Sequence, residues 1–143
     1  MLNAAYDCEN IFAKIIRGEM PAVKIYEDDK ILSFMDVFPQ SDGHALVIHK
    51  TAQAVNLLDV EQGALSELTT AVQNIAGAIK TGLNPDGFRV VQFNGAPAGQ
   101  TVFHLHFHII PIYEGKSLGR HGDGAPADTD ALEAMAAKIR AAL

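Results

Sequence analysis

The strongest constraint on the fold of this chain is a stretch in which histidine and apolar residues alternate, between His104 and Ile110. Successive side chains of a β-strand point to opposite faces of a sheet, so the alternation predicts a half-buried strand. One face would carry His104, His106 and His108, and the other Leu105, Phe107 and Ile109. Same-face neighbours on a strand lie roughly 7 Å apart. Three of the six histidines in the chain would therefore line one small surface.

Hydrophobic periodicity along the rest of the chain predicts an α+β fold, with an antiparallel sheet of about five strands and the helices on one face. The sheet is joined by a short N-terminal helix, one long helix and an appended C-terminal helix. The predicted helices span residues 9–17, 59–81 and 130–143, and the predicted strands span residues 24–27, 31–36, 44–48, 88–93 and 101–110.

Capping residues mark the expected ends of the two longer helices. Asp59 has the side chain of an N-cap, and Gln62 follows it three residues later, as a capping box requires. Gly82 is expected to end this helix. Asp128 or Thr129 is expected to cap the C-terminal helix.

Composition and charge limit the possible function classes. The chain has 143 residues, of which 48% are hydrophobic and 20% charged, as is ordinary for one globular domain. Its formal net charge of −6 argues against nucleic acid or an anionic membrane as partner. Cys8 is the only cysteine, so no internal disulfide is possible. No signal-peptide pattern and no apolar run of membrane-span length is visible, and we expect a single cytoplasmic domain, residues 1–143.

The alternating histidines have three interpretations at this point. In the first interpretation each ring has no chemical role and is only solvated or hydrogen-bonded, as isolated strand histidines usually are. Alternatively, neutral imidazoles ligate a metal such as zinc, although no acidic residue interleaves with them. In the third interpretation an imidazole attacks phosphorus, while polar neighbours bind the developing charge. Gln100, Thr101 and the glycine-containing loop 94–99 supply such neighbours directly upstream.

Three segments of the chain resemble the histidine triad (HIT) superfamily. The stretch 99–111 looks like the family signature, with the sequence GQTVFHLHFHIIP. Residues 36–48 resemble the family's upstream strand pair at the nucleotide site, and residues 11–21 resemble the opening of its Hint-like bacterial branch. The resemblance covers a core of about residues 8–113 and leaves 114–143 as a divergent tail and helix. It implies hydrolysis or transfer at the α-phosphate of a nucleotide, without a metal or other cofactor.

The resemblance assigns catalytic roles to individual residues. His106 would be the nucleophile that becomes nucleotidylated. His104 and His108 would orient it and bind phosphate oxygens, and His44 would complete the polar cluster. Gln100 would contact the phosphate or the incoming water, and Thr101 would assist the leaving group.

The resemblance also implies a nucleotide pocket. Asp36 matches the carboxylate that holds the ribose hydroxyls. The apolar base pocket would consist of Phe12, Ile15, Phe34 and Val37. The loop positions assigned to the nucleotide are Asn94 and Gly99, while Phe93 stands where members often carry Asn or Gln.

The expected activity is that of a purine nucleoside phosphoramidase, and the expected assembly is a homodimer, as is usual in the family. The alternatives are a dinucleoside polyphosphate hydrolase and a non-catalytic nucleotide-binding or scaffold module. Zinc is not expected, because Cys8 has no second cysteine and Ala13 stands where another sulfur would be. His49 and His121 are predicted to lie at the surface, with His121 on a tail that can approach the site.

Overall fold

The computed structural model describes residues 2–119 and 125–143 and confirms the α+β fold. A five-stranded antiparallel sheet has the strand order β1-β2-β3-β5-β4. The strands are β1 Lys24–Glu27, β2 Ile31–Met35, β3 Ala45–His49, β4 Gly87–Val91 and β5 His106–Ile112. The helices are α1 Ile11–Ile16, α2 Gln62–Leu83 and α3 Thr129–Arg140, with a 3₁₀ turn at Ala96–Ala98. Within the described residues, no helix combines the length and the apolar character that crossing a bilayer requires.

The two faces of the sheet are covered by different helices. The main core lies between the sheet and helices α2 and α3, and includes the fully buried Val47, Ile79 and Ile139. Helix α1 packs on the opposite face, where Phe12 and Ile15 join a smaller cluster with strand residues such as Leu46. The prediction that helices share one face therefore holds for α2 and α3, whereas α1 covers the other face.

Strand pairing places the histidines on the α1 face. His106 is paired with Ile48 and His108 with Leu46, and directly paired residues of antiparallel strands point to the same face. Ile109, whose side chain points the other way, belongs to the main core under α2. Alternate residues of β5 therefore contribute to a polar site on one face of the sheet and to the main core on the other.

Strand β5 is shifted towards the C-terminus relative to the prediction of residues 101–110. Residues 101–105 form irregular chain, and the strand continues through Pro111 to Ile112. A proline is tolerated here because β3 pairs with β5 only as far as Ile109. The carbonyl of Pro111 then accepts a hydrogen bond from the Ser41 hydroxyl, at 2.6 Å.

The predicted capping of α2 is wrong at both ends. Glu61 is the N-cap, and the carboxylate of Asp59 instead accepts hydrogen bonds from the backbone N–H groups of Val55 and Asn56. The helix ends at Leu83, and its C-cap residue Asn84 adopts the left-handed conformation with φ 51° and ψ 52°. Gly82 lies inside the helix, where α3 crosses it: a Cβ atom at Gly82 would lie 2.5 Å from the carbonyl oxygen of Lys138.

Substituting this glycine tests the α2–α3 contact. We expect Gly82→Ala to lower the free energy of unfolding by about 1–3 kcal/mol, because the methyl group meets backbone that must move. Gly77→Ala is the matched control on the same helix, since a Cβ there meets no atom within 4 Å. It should raise stability by about 1 kcal/mol through helix propensity alone. Urea unfolding of both variants measures the difference, and equal effects at the two positions would contradict the close contact.

Candidate active site

Four histidines form a buried cluster on the α1 face, which we call the histidine cluster: His44, His104, His106 and His108. None is more than 5% exposed. His106 and His108 project from β5 with ring centroids 5.0 Å apart, whereas His104 lies just before the strand. His44 directly precedes β3, the neighbouring strand. The structure therefore brings together all four histidines that the sequence singled out, although only two of them lie on one strand.

The hydrogen bond of His106 selects one tautomer of its ring. Its Nδ1 lies 2.7 Å from the carbonyl oxygen of His104. A carbonyl can only accept, so Nδ1 carries the hydrogen, and in the neutral ring Nε2 carries the lone pair. The ring is also packed edge to face against Phe12, at a centroid distance of 4.9 Å and an interplanar angle of 89°. An imidazole held in this form is suited to nucleophilic attack through Nε2.

His44 and His108 are linked by a hydrogen bond whose direction follows from their surroundings. The backbone N–H of Gln40 donates to Nδ1 of His44, at 3.0 Å, so the neutral ring of His44 carries its hydrogen on Nε2. That Nε2 lies 2.9 Å from Nδ1 of His108 and donates to it. Neutral His108 then carries its own hydrogen on Nε2 and can donate to an anionic group beside His106.

The carboxylate of Asp36 completes this side of the cluster. Its Oδ2 lies 3.4 Å from Nε2 of His44 and 3.9 Å from Nδ1 of His108. Its Oδ1 accepts a hydrogen bond from the backbone N–H of Phe38 at 2.8 Å, which fixes the carboxylate at the end of β2. Negative charge at this position stabilises any proton that the two histidines acquire.

Among the described residues, the same three residues form the group whose ligand atoms lie close enough together to hold a metal ion. One ligand atom each from Asp36, His44 and His108 lies within 4.8 Å of the others. A metal on Nε2 of His44 would require a hydrogen on Nδ1, which faces the N–H of Gln40. The 2.9 Å between the two ring nitrogens is also a hydrogen-bond distance, shorter than the roughly 3.3 Å that separates two nitrogens on a tetrahedral zinc ion. The donor pattern therefore favours a hydrogen-bonded pair over a metal centre.

His104 is held at both ring nitrogens. Its Nε2 lies 3.0 Å from the carbonyl oxygen of His49, and its Nδ1 lies 2.7 Å from the hydroxyl of Tyr6. Burial lowers the pKa of His104 to about 4, so the ring is neutral at physiological pH. Sequence reasoning missed Tyr6, which lies 98 residues from its partner and belongs to no motif.

The structure places Gln100 and Asn94 in the loop framework. The buried Gln100 side chain accepts from the N–H of Gly95 and donates to the carbonyl groups of Val55 and Val102. The side chain of Asn94 accepts from the N–H of Leu57. These bonds fasten the loop after β4 to residues 55–57, next to the histidine cluster.

Two further loop positions differ in their surroundings. Gly99 has φ 111°, and a Cβ there would lie 3.1 Å from the ring of Phe93. That ring packs edge to face against His108, with centroids 5.4 Å apart. Glycine at 99 thus allows Phe93 to lie against the cluster. Thr101 follows on exposed chain.

Three of the four predicted base-pocket residues are buried together. Phe12, Ile15 and Phe34 belong to the smaller apolar cluster, whereas Val37 is 43% exposed.

The prediction for His49 is wrong: the residue is 4% exposed, and its Nδ1 accepts from the N–H groups of Thr51 and Ala52. His121 lies outside the described residues.

Comparison with known proteins places the chain among close relatives. The model of the HIT domain matches residues 17–115. The crystal structure of a HIT-like protein from Bartonella henselae is 51% identical in sequence to this chain and superposes with a TM-score of 0.89. The match covers 97% of this chain and 100% of that protein's chain. The protein hit of Bacillus subtilis is 42% identical over 118 residues, or 82% of this chain and 79% of that protein. Adenylylsulfatase HINT3 of Arabidopsis thaliana is 40% identical over 121 residues, or 80% of this chain and 60% of that protein.

Proposed function

This chain belongs to the histidine triad family of nucleotide-binding proteins and hydrolases, and from that premise we propose that it hydrolyses purine nucleoside phosphoramidates through a nucleotidyl-His106 intermediate. The observation that carries the proposal is the hydrogen bond from Nδ1 of His106 to the carbonyl of His104, at 2.7 Å. It presents the Nε2 lone pair of a buried imidazole, which is the requirement for attack on phosphorus.

The reaction proceeds in two displacements at the α-phosphorus. In the first, Nε2 of His106 forms a bond to phosphorus, the phosphorus–nitrogen bond to the amine breaks, and the amine leaves with a proton taken up from solvent. In the second, water forms the new phosphorus–oxygen bond and returns one proton to solvent. The bond to Nε2 then breaks, and the nucleoside monophosphate is released. Splitting one difficult substitution into two easier ones is the gain of covalent catalysis.

The neighbours of His106 stabilise the negative charge that develops on the phosphoryl oxygens, and they position the substrate. His108, accepting from His44, presents its Nε2 hydrogen to such an oxygen. Asp36 stabilises positive charge on this pair and accepts from the ribose hydroxyls. Gln100 and Asn94 hold the loop after β4 in place, and Thr101 assists the leaving group. The purine lies against the apolar residues Phe12, Ile15, Phe34 and Val37.

A substrate comparison tests this proposal. The protein is incubated with an adenosine phosphoramidate, a dinucleoside polyphosphate and an adenylyl sulfate, and nucleotide release is followed. Adenylyl sulfate is included because one relative is named an adenylylsulfatase. We expect the phosphoramidate to show the highest kcat/KM and a rapid quench to trap one nucleotidyl group on His106 by intact mass and peptide mapping. Fastest hydrolysis of either other substrate would reassign the substrate class, and turnover of none would support a binding module.

We also propose that two copies associate through the edge strand β4. This strand is the last in the sheet, and on its α2 side it presents Phe88 and Val90, each 46% exposed. An uncovered apolar edge strand is a template for pairing with a second copy. Analytical ultracentrifugation is expected to show a dimer, and Val90→Lys is expected to weaken it strongly. A monomeric wild-type protein at micromolar concentration would contradict this assembly.

A further inference from the structure

The segment before α1 reaches the histidine cluster through the hydroxyl group of Tyr6. Its oxygen lies 2.7 Å from Nδ1 of His104, and the two rings meet edge to face with centroids 5.6 Å apart. Burial raises the pKa of Tyr6, so the hydroxyl keeps its hydrogen at neutral pH. The hydroxyl donates to Nδ1 of His104. The Nε2 atom of His104 then carries the hydrogen that goes to the carbonyl of His49, at 3.0 Å.

His104 in turn determines the position of His106. The carbonyl of His104 accepts the Nδ1 hydrogen of His106 at 2.7 Å, and this bond selects the tautomer with the Nε2 lone pair. Because the His104 ring is 2% exposed, an unsatisfied Nδ1 would lack water as a substitute partner. The carbonyl of His49 keeps the hydrogen on Nε2 of His104 in either case, so losing the hydroxyl leaves the buried Nδ1 lone pair without a donor. A shift of the ring towards another donor would then displace residue 104 and its carbonyl.

We propose that Tyr6 is a positioning residue of the active site: its hydroxyl fixes the orientation of His104, whose carbonyl holds His106 ready for attack. The inference rests on the proposed function. It needs no contact between Tyr6 and the substrate. Loss of the hydroxyl should therefore affect the chemical step, seen in kcat, and leave KM nearly unchanged.

The test is Tyr6→Phe, which removes only the hydroxyl group. The matched control is Tyr26→Phe, whose hydroxyl donates to Asp28 at 2.7 Å on the exposed side of β1. We expect kcat to fall roughly tenfold to a hundredfold in Tyr6→Phe, because the reacting atoms are misplaced. The control should retain wild-type kcat. Nitrogen-15 NMR of the histidine rings should show one Nδ1–H tautomer of His106 in the wild type and the control, and a mixture in Tyr6→Phe, because a displaced His104 carbonyl no longer selects it.

Wild-type kcat together with a single Nδ1–H tautomer of His106 in Tyr6→Phe would overturn the inference. The NMR measurement needs no substrate, so it decides the role of Tyr6 even if no nucleotide is turned over and the proposed function fails. If Tyr6→Phe does not fold, 3-fluorotyrosine at position 6 keeps the ring and provides a more acidic donor. The His104 Nδ1 resonance is then expected to shift, and an unshifted resonance would contradict the contact.

Discussion

Replacing His106 with alanine is expected to reduce turnover of a nucleoside phosphoramidate by roughly 10⁴-fold or more, because the variant lacks the atom that forms the intermediate. The residues around it keep their own contacts. The His44–His108 hydrogen bond and the bonds of His104 to Tyr6 and His49 do not involve the His106 ring. Nucleotide affinity should therefore survive. Steady-state kinetics measure the loss, and isothermal titration calorimetry measures the remaining binding.

Two further measurements separate loss of the nucleophile from general damage. Intact mass after a rapid quench should show a nucleotidyl adduct on the wild-type protein and none on His106→Ala. In His106→Gly, free imidazole added to the solution should partly restore turnover, because it can occupy the space of the missing ring. Retention of full turnover by either variant would rule out the covalent route, and an adduct on another residue would move the nucleophile.

The buried His104 should make the protein sensitive to acid. Its pKa is lowered from the ordinary value of 6.5 to about 4, mainly by burial, so the unfolded chain binds this proton more readily than the folded protein does. The stabilising difference is complete above pH 6.5 and is lost as the pH falls towards 4. The lowered pKa corresponds to about 3 kcal/mol of unfolding free energy lost over this interval.

The prediction is tested by comparing wild type and His104→Gln. Unfolding by urea is measured between pH 7 and 4 at one protein concentration, because any self-association would make the stability depend on concentration. The other histidines and the carboxylates titrate in both proteins, so only the difference in pH dependence belongs to His104. The wild type should lose about 3 kcal/mol more than the variant over this range. Parallel curves for the two proteins would show that His104 titrates normally in the folded state.

Local pattern was sufficient wherever one short segment determined the outcome. Strand β1 has the predicted bounds, and Asp128 caps α3 by accepting from the N–H of Ala131. Errors occurred where a distant segment decides. Gly82 lies inside α2 because α3 crosses there, and its lack of a side chain allows that close contact rather than ending the helix. The start of β5 moved to His106 because pairing with β3 begins at this residue.

The candidate site shows the same division. The residue types and the motif were visible in the chain, including the four histidines and Asp36. The hydrogen-bond partners of the polar side chains were not visible in the chain. Gln100 donates to the carbonyl groups of Val55 and Val102, and Asn94 accepts from the N–H of Leu57. Side chains with several donors and acceptors satisfy whichever partners the tertiary fold brings near. Their partners therefore cannot be derived from spacing along the chain.

The sequence by itself determined that histidine and apolar side chains would lie on opposite faces of one strand, because the period of two is a local property of an extended chain. It also identified the family through the same segment. Only the tertiary structure decided the chemical state of each ring, because every partner that selects a tautomer comes from another part of the fold or from the bent backbone itself. The N–H of Gln40 selects the tautomer of His44, and the carbonyl of His104 selects that of His106. The carbonyl of His49 selects the tautomer of His104, with the Tyr6 hydroxyl at the other ring nitrogen.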